Sequence, residues 1–104
     1  MGVTGGIAGT RRCLENQVSI LPEGAHFQVI GIGRAQWELT RWGIELGGHV
    51  RVGLEDNFYL PDGQTMAKSN AELCSAGTKL MKEHGVVPMT LAETKQALGL
   101  GGGK

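Results

Sequence analysis

The amino-acid sequence predicts an α/β fold made of repeated strand-helix units, and three observations predict it. Short apolar runs alternate with longer segments whose apolar residues recur at the spacing of one helix face. Glycines stand at most of the boundaries between them, and the 40% hydrophobic share is that of an ordinary globular chain. We expect one domain over residues 1–98 and a loose glycine-rich tail at residues 99–104.

The first unit begins with a short apolar start at residues 1–4, which reads as the end of a strand followed by a glycine-rich turn. Thr10 can cap the helix after it, because a Thr side chain accepts a hydrogen bond from an N–H of the first turn. Apolar residues spaced for one helix face are Cys13, Leu14, Val18 and Leu21. Pro22 and Gly24 predict the end of this helix.

The second unit has a predicted strand at residues 26–32 and a turn through Gly31, Gly33 and Arg34. The helix that follows carries Trp37, Leu39, Trp42, Ile44 and Leu46. Two consecutive glycines then predict its end at residues 47–48.

The third strand leads into a loop at residues 57–68, in which Pro61, Asp62 and Gly63 are typical of a turn. Two capped helices follow, with the capping-box pairs Ser69 with Glu72 and Thr90 with Glu93. We expect the first to end at residues 84–85 and the second to reach residue 98.

Repeated strand-helix units imply parallel strands joined by right-handed crossovers. Three parallel strands would leave sheet edges exposed, whereas parallel sheets are normally buried on both faces. We therefore expect more protein on the N-terminal side of this chain.

The third strand, within residues 47–57, carries the candidate site. Its alternation gives two faces, one with Val50, Val52 and Leu54 and the other with Arg51, Gly53 and Glu55. Burying an arginine and a carboxylate in apolar surroundings costs several kcal/mol unless they are paired or metal-bound, so the second face should line a polar cavity. Gly53 leaves room between them, and Asp56 and Asn57 extend past the strand's C-terminal end. The alternative is an Arg-Glu pair that serves structure alone.

Composition narrows the classes of partner. Ten basic and ten acidic residues balance, and no basic patch or charge run indicates nucleic-acid or membrane-surface binding. No apolar run is long enough for a membrane span, and the start lacks the layout of a secretory signal, so we expect the cytoplasm. Cys13 and Cys74 lack metal-type spacing, which favours free thiols.

Four motifs together resemble the β-keto acid cleavage enzymes. They are Gly2-Val3-Thr4-Gly5-Gly6, Gly31-Ile32-Gly33-Arg34, Gly48-His49-Val50-Arg51-Val52-Gly53-Leu54-Glu55-Asp56-Asn57 and Ser69-Asn70-Ala71-Glu72. The resemblance covers essentially this whole chain but only about the last third of a family member. It implies the final strand-helix units of a TIM (β/α)₈ barrel that is incomplete as an isolated chain.

The resemblance also implies a reaction: zinc-dependent retro-Claisen cleavage of a β-keto acid, such as 3-keto-5-aminohexanoate, with acetyl-CoA, giving acetoacetate and an acyl-CoA. Glu55 stands where the family has its glutamate zinc ligand. Arg51 and Asp56 match the arginine and aspartate associated with substrate carboxylate recognition and proton transfer. For Asp56, acting as a base and orienting the arginine both stay open. A complete family member is expected to be a homo-oligomer.

This chain departs from the family pattern in its histidines, because it has no His-x-His, the source of the family's other two zinc ligands. His49 precedes Glu55 by six residues, which is about 20 Å along a strand and too far for a shared metal. His26 is expected at the opposite end of its strand, and His84 at a helix terminus. We therefore expect this chain to lack activity without the missing N-terminal barrel portion.

Two hypotheses from other classes remain. Gly31, Gly33 and Arg34 precede a helix, where backbone N–H groups and an arginine favour anions, so they are candidate contacts for a phosphate, CoA or nucleotide. The full dinucleotide fingerprint fails, because Gln36 occupies its third glycine position. A non-catalytic assembly partner with exposed sheet edges is the other possibility.

Overall fold

The computed structural model describes residues 1–100, which fold into four α-helices joined by extended segments and turns. The helices are α1 (Arg11–Ser19), α2 (Gln36–Glu45), α3 (Asn70–Glu83) and α4 (Leu91–Ala97), and a short 3-10 turn (Gly33–Ala35) leads into α2. All four predicted helices are therefore present. Most of the predicted tail lies outside the described residues.

The predicted residues cap the helices, with one difference at α3. Thr10 accepts from the Cys13 N–H, and Thr90 forms a complete capping box at the start of α4. At α3 the Ser69 hydroxyl accepts from the Glu72 N–H, but the Glu72 carboxylate accepts from Lys68 N at 2.9 Å, one residue earlier than a capping box requires. The glutamate therefore fixes the chain just before the cap.

The prediction that the extended segments form continuous strands is wrong. Residues 1–100 contain no strand; the segments meet through a single parallel bridge between Gln28 and His49. The His49 N–H donates to Phe27 O at 2.8 Å, and farther along the Gly33 N–H donates to Asp56 O at 2.7 Å. With hydrogen bonds this widely spaced, a ladder does not form, although the two segments run side by side.

The start of the chain lies against the same segment. The Met1 ammonium donates to Ile30 O at 2.6 Å, and the Ile32 N–H donates to Met1 O at 3.0 Å. In parallel pairing, one residue forms hydrogen bonds to the two residues that flank its partner on the neighbouring segment. Met1 shows this pattern. The three extended segments therefore lie next to one another in chain order, as the predicted parallel arrangement requires.

Helices cover one face of these segments. Val50, Val52 and Leu54 pack against a buried cluster that includes Leu73 and Leu80 of α3, so the predicted apolar face is confirmed. A second cluster joins Leu14, Val29 and Leu39 from α1, the second segment and α2. On the opposite face of the second segment, Gln28 and Ile30 are exposed. The fold therefore has one packed face and one open face.

In the part of the chain that the structure describes, no helix is both long and apolar enough to cross a membrane.

Candidate active site

Arg51 holds two carboxylates at the end of the third segment. Its Nε donates to Asp56 Oδ2 and its Nη2 donates to Glu55 Oε1, both at 3.3 Å. The structure thus brings together all three residues that the sequence places at this site. The other terminal nitrogen, Nη1, has no partner among residues 1–100 and can reach a further anionic group.

The two carboxylates differ in exposure. The Asp56 side chain is 8% exposed, whereas that of Glu55 is 60% exposed, and Arg51 lies between them at 36%. An exposed ion pair contributes about 0–1 kcal/mol, so the Arg51–Glu55 contact is easily exchanged for another partner. The buried Asp56 carboxylate is the more constrained partner and fixes the orientation of the guanidinium.

Glu55 lies in a turn, which corrects the prediction that it continues the strand alternation. Gly53 O accepts from the N–H groups of Asp56 at 3.0 Å and Asn57 at 3.2 Å, so the chain folds back immediately after Gly53. Alternation holds through Leu54, which still packs against the apolar cluster, and ends at Glu55. The turn, rather than the strand, brings Glu55 and Asp56 to the same guanidinium.

Gly53 is buried directly beneath this contact. A Cβ at this position would overlap Glu55 Oε1, the same oxygen that accepts from Arg51. The expectation that Gly53 leaves room for the charged groups therefore describes the geometry found.

Two backbone contacts attach the turn to the helices. The Leu54 N–H donates to Asn70 Oδ1 at 2.8 Å, and Asp56 O accepts from the Gly33 N–H at 2.7 Å. Asn70 is the first residue of α3, and its positioning role is absent from the sequence-based prediction. An Asn immediately after a capping Ser was the available signal, because this side chain readily bonds to nearby backbone.

A hydrogen bond between two buried amide side chains supports the turn. Asn57 Nδ2 donates to Tyr59 O at 2.7 Å and to Gln36 Oε1 at 3.2 Å. Gln36 is fully buried on α2, and within residues 1–100 its Nε2 has no hydrogen-bond partner. Gln36, which marked a failed nucleotide fingerprint in the sequence, here ties α2 to the residue after Asp56.

The predicted phosphate contacts lie on a neighbouring turn. Gly31 packs so closely that a Cβ would lie 2.6 Å from Gln36 Cα, and Gly33 has a φ of +61°. Because the Gly33 N–H is already bonded to Asp56 O, it is not free to bind an anion. Arg34 is exposed and lines an open cavity of about 570 Å³ together with Tyr59 and Gln64.

Within residues 1–100, the candidate site has no complete set of metal ligands. Among residues 1–100 there is no group of three or more His, Cys, Asp or Glu side chains that could hold a metal ion. Glu55 suits one ligand position, because it is exposed and its Oε2 has no hydrogen-bond partner in the described residues. The site therefore offers one carboxylate ligand and an arginine, but not a complete coordination shell.

The chain belongs to the beta-keto acid cleavage enzyme family. The family model described as beta-keto acid cleavage enzyme matches residues 1–100. The 3-keto-5-aminohexanoate cleavage enzyme of Acetoanaerobium sticklandii is 42% identical over 100 residues, 96% of this chain and 36% of that protein. The protein of the same name from Fusobacterium nucleatum is 45% identical over 80 residues, 77% of this chain and 29% of that protein.

A relative with another name also matches part of this chain. The 3-oxoadipate:acetyl-CoA acetyltransferase of Cupriavidus necator is 51% identical over 70 residues, 67% of this chain and 24% of that protein. The chain thus spans 24–36% of the length of these three relatives.

Proposed function

We propose that this chain is the C-terminal part of an enzyme that cleaves a β-keto acid with acetyl-CoA, giving acetoacetate and an acyl-CoA. The contact of Arg51 with both Glu55 and Asp56, in a chain of this family, is the observation that carries the proposal. The names of the relatives support the substrate class, since they specify 3-keto or 3-oxo acids, and one specifies acetyl-CoA.

We further propose that the three extended segments are the last three strands of a TIM barrel. The open face with Gln28 and Ile30 would then be part of the barrel interior. The site lies at the end of the third segment, which is the end at which barrels place their active sites. Barrel strands from the rest of the protein would cover this face and complete the site.

In this proposal Glu55 is one zinc ligand, and the other ligands come from the rest of the protein. A bound zinc ion would supply Lewis-acid polarisation of the substrate's keto group. Taking up this role requires Glu55 to leave Arg51, and the exposed geometry of that ion pair makes the exchange inexpensive.

Arg51 is proposed to bind the substrate carboxylate or a developing oxyanion. Its guanidinium is a fixed fork of donors, and the Nε bond to the buried Asp56 sets its plane. Asp56 then has an orienting role in the resting site. To act also as a base, its carboxylate would have to leave Arg51 and accept a proton from the substrate.

The turn with Gly31, Gly33 and Arg34 is proposed to contact the coenzyme. Since the Gly33 N–H is occupied, the Arg34 guanidinium in its open cavity is the group that would meet a phosphate. The two glycines would act by allowing the close approach of α2. A phosphate- or CoA-binding module without zinc chemistry is the competing function for this turn.

The test is reconstitution. The chain would be co-expressed with the preceding two-thirds of the Acetoanaerobium relative, and the purified assembly assayed for bound zinc and for acyl-CoA formation. We expect both to appear, and Glu55→Gln to remove the zinc. Glu83→Gln is the matched control, because Glu83 is an exposed glutamate at the end of α3 and lines neither the Arg51 site nor the Arg34 cavity.

Two further variants separate the roles. Arg51→Lys should lower kcat roughly 100-fold, as loss of a donor to a developing anion does. Asp56→Asn should remove the acidic limb of a pH-rate profile if Asp56 is the base, because protonation of a base lowers the rate, and should lower the rate uniformly if Asp56 only orients Arg51. Zinc that stays bound in the Glu55→Gln assembly, or CoA binding by the chain with no zinc requirement, would overturn the proposed enzyme function.

A further inference from the structure

A pair of histidines lies at the beginning of the second and third segments, away from Glu55. His26 Nδ1 and His49 Nε2 are 3.0 Å apart, and the two rings are stacked with centroids 5.2 Å apart. The sequence analysis considered the two histidines separately, but the fold brings them to each other. We propose that His26 and His49 bind one late first-row divalent ion, with Cu²⁺ preferred.

The distance between the two nitrogens suits a shared ion. Two imidazole nitrogens about 2.0–2.1 Å from one metal lie about 2.9 Å apart in neighbouring square-planar positions and about 3.3 Å apart in tetrahedral positions. The observed 3.0 Å is closer to the square-planar arrangement. That geometry is typical of Cu²⁺ with nitrogen and oxygen ligands, and Cu²⁺ also binds such donors more tightly than Ni²⁺ or Zn²⁺.

The backbone holds the two segments together at this point. The His49 N–H donates to Phe27 O at 2.8 Å, one residue after His26. The Phe27 ring lies directly on Gly48, where an added Cβ would come within 2.5 Å of it. Since these contacts involve the immediate neighbours of both histidines, the backbone keeps the two residues side by side.

The surroundings permit an ion to enter and keep its water. Both histidines are exposed and stand at an open cavity of about 540 Å³, whose lining includes Met81 and Met89 and no aspartate, glutamate, lysine or arginine. No lysine or arginine there would repel a cation. Water molecules can therefore fill the remaining coordination positions.

Titration of the 104-residue chain with Cu²⁺ tests the inference. We expect one ion per chain and an electron paramagnetic resonance spectrum with couplings from two imidazole nitrogens. His26→Gln and His49→Gln should each weaken binding roughly tenfold or more, since even outer-shell changes at metal sites typically have this effect. Circular dichroism of each variant would separate loss of a ligand from loss of the fold.

His84→Gln is the matched control, because His84 binds Glu45 and Leu80 O instead of another histidine. It should leave Cu²⁺ affinity unchanged. Binding through one nitrogen only, binding at the chain's amino terminus, or equal weakening by all three substitutions would overturn the proposed site. This outcome is independent of the zinc test above, because Glu55 is intact in every variant.

Discussion

At Gly53 the charged groups of the site occupy the space that a side chain would fill, whereas the backbone conformation does not require glycine. Its φ lies outside the left-handed region, so alanine is compatible with the local conformation. The atom that an alanine methyl would meet first is Glu55 Oε1, the end of a flexible side chain. The carboxylate, rather than the backbone, would move.

We therefore predict that Gly53→Ala changes the unfolding free energy little but pushes the Glu55 carboxylate out of the space beside residue 53, away from the position of a zinc ligand. In the reconstituted assembly, zinc affinity should fall while the midpoint of urea unfolding stays within experimental scatter of wild type. Gly77→Ala is the control: this glycine lies inside α3 with ordinary contact to Val50, and alanine there should stabilise the chain by about 0.5–1 kcal/mol. Unchanged zinc affinity in Gly53→Ala would contradict the prediction.

The charged residue types of the site were the part most readily predicted from the sequence. Arg51, Glu55 and Asp56 are charged residues beside a buried apolar strand pattern, and such groups must find partners. The turn that brings them together was not predicted, because it depends on two hydrogen bonds to Gly53 O that no residue type specifies. The same holds for His26 and His49, which are 23 residues apart in the sequence.

At the scale of elements, the start of α3 anchors the site turn. Asn70→Ala would leave the Leu54 N–H without its acceptor, and a lost hydrogen bond of this kind costs about 0.5–1.5 kcal/mol. Asn70→Asp keeps an acceptor oxygen and should retain most of the stability. Urea unfolding of the two variants measures the difference; equal loss in both would show that the hydrogen bond does not matter.

A second contact between elements joins three helices through one carboxylate. Glu45 of α2 accepts from Arg11 of α1 at 2.5 Å and meets His84 at the end of α3 at 3.3 Å. The hydrogen bond from Arg11, and then that from His84, lowers the pKa of the Glu45 carboxyl below its usual value. Because the folded-state pKa is the lower one, this contribution to stability is present above the unfolded pKa and is lost as the pH falls.

We predict that wild-type stability declines below the ordinary glutamate pKa of about 4.3 partly through Glu45. In Glu45→Gln the decline over the same pH range should be shallower, and stability near neutral pH should be lower. Chemical unfolding at a series of pH values measures both slopes. Glu38→Gln, on the exposed side of the same helix, should follow the wild-type curve; identical curves for all three proteins would exclude the effect.

The elements themselves were unequally predictable. Helix starts depend on local signals such as Thr10 and Thr90, which form the expected caps. Strands require partners distant in the sequence, and the observed segments share only the Gln28–His49 bridge and a few isolated hydrogen bonds. The apolar alternation correctly identified which face of residues 50–54 packs against α3, but it could not determine how far a ladder extends.

For the molecule as a whole, the open face beside Gln28 and Ile30 should respond to the N-terminal portion of the proposed barrel. We predict that the preceding two-thirds of the Acetoanaerobium relative slows amide hydrogen exchange in residues 26–32 and 47–57 in a concentration-dependent way, because binding to the folded state adds stability. α1 packs against Val29 on the covered face of the second segment, so its exchange should change less. Exchange rates in these segments that are the same with and without the added portion would contradict the barrel proposal.

The pairing of Met1 has a practical consequence for protein engineering. Its amino group donates to Ile30 O, and its carbonyl accepts from Ile32. A peptide N–H can donate in the same direction as the ammonium, so an upstream polypeptide joined in extended conformation at Met1 would keep both hydrogen bonds. Direct fusion at this residue, without a flexible linker, is thus the favoured design for expressing both portions as one polypeptide.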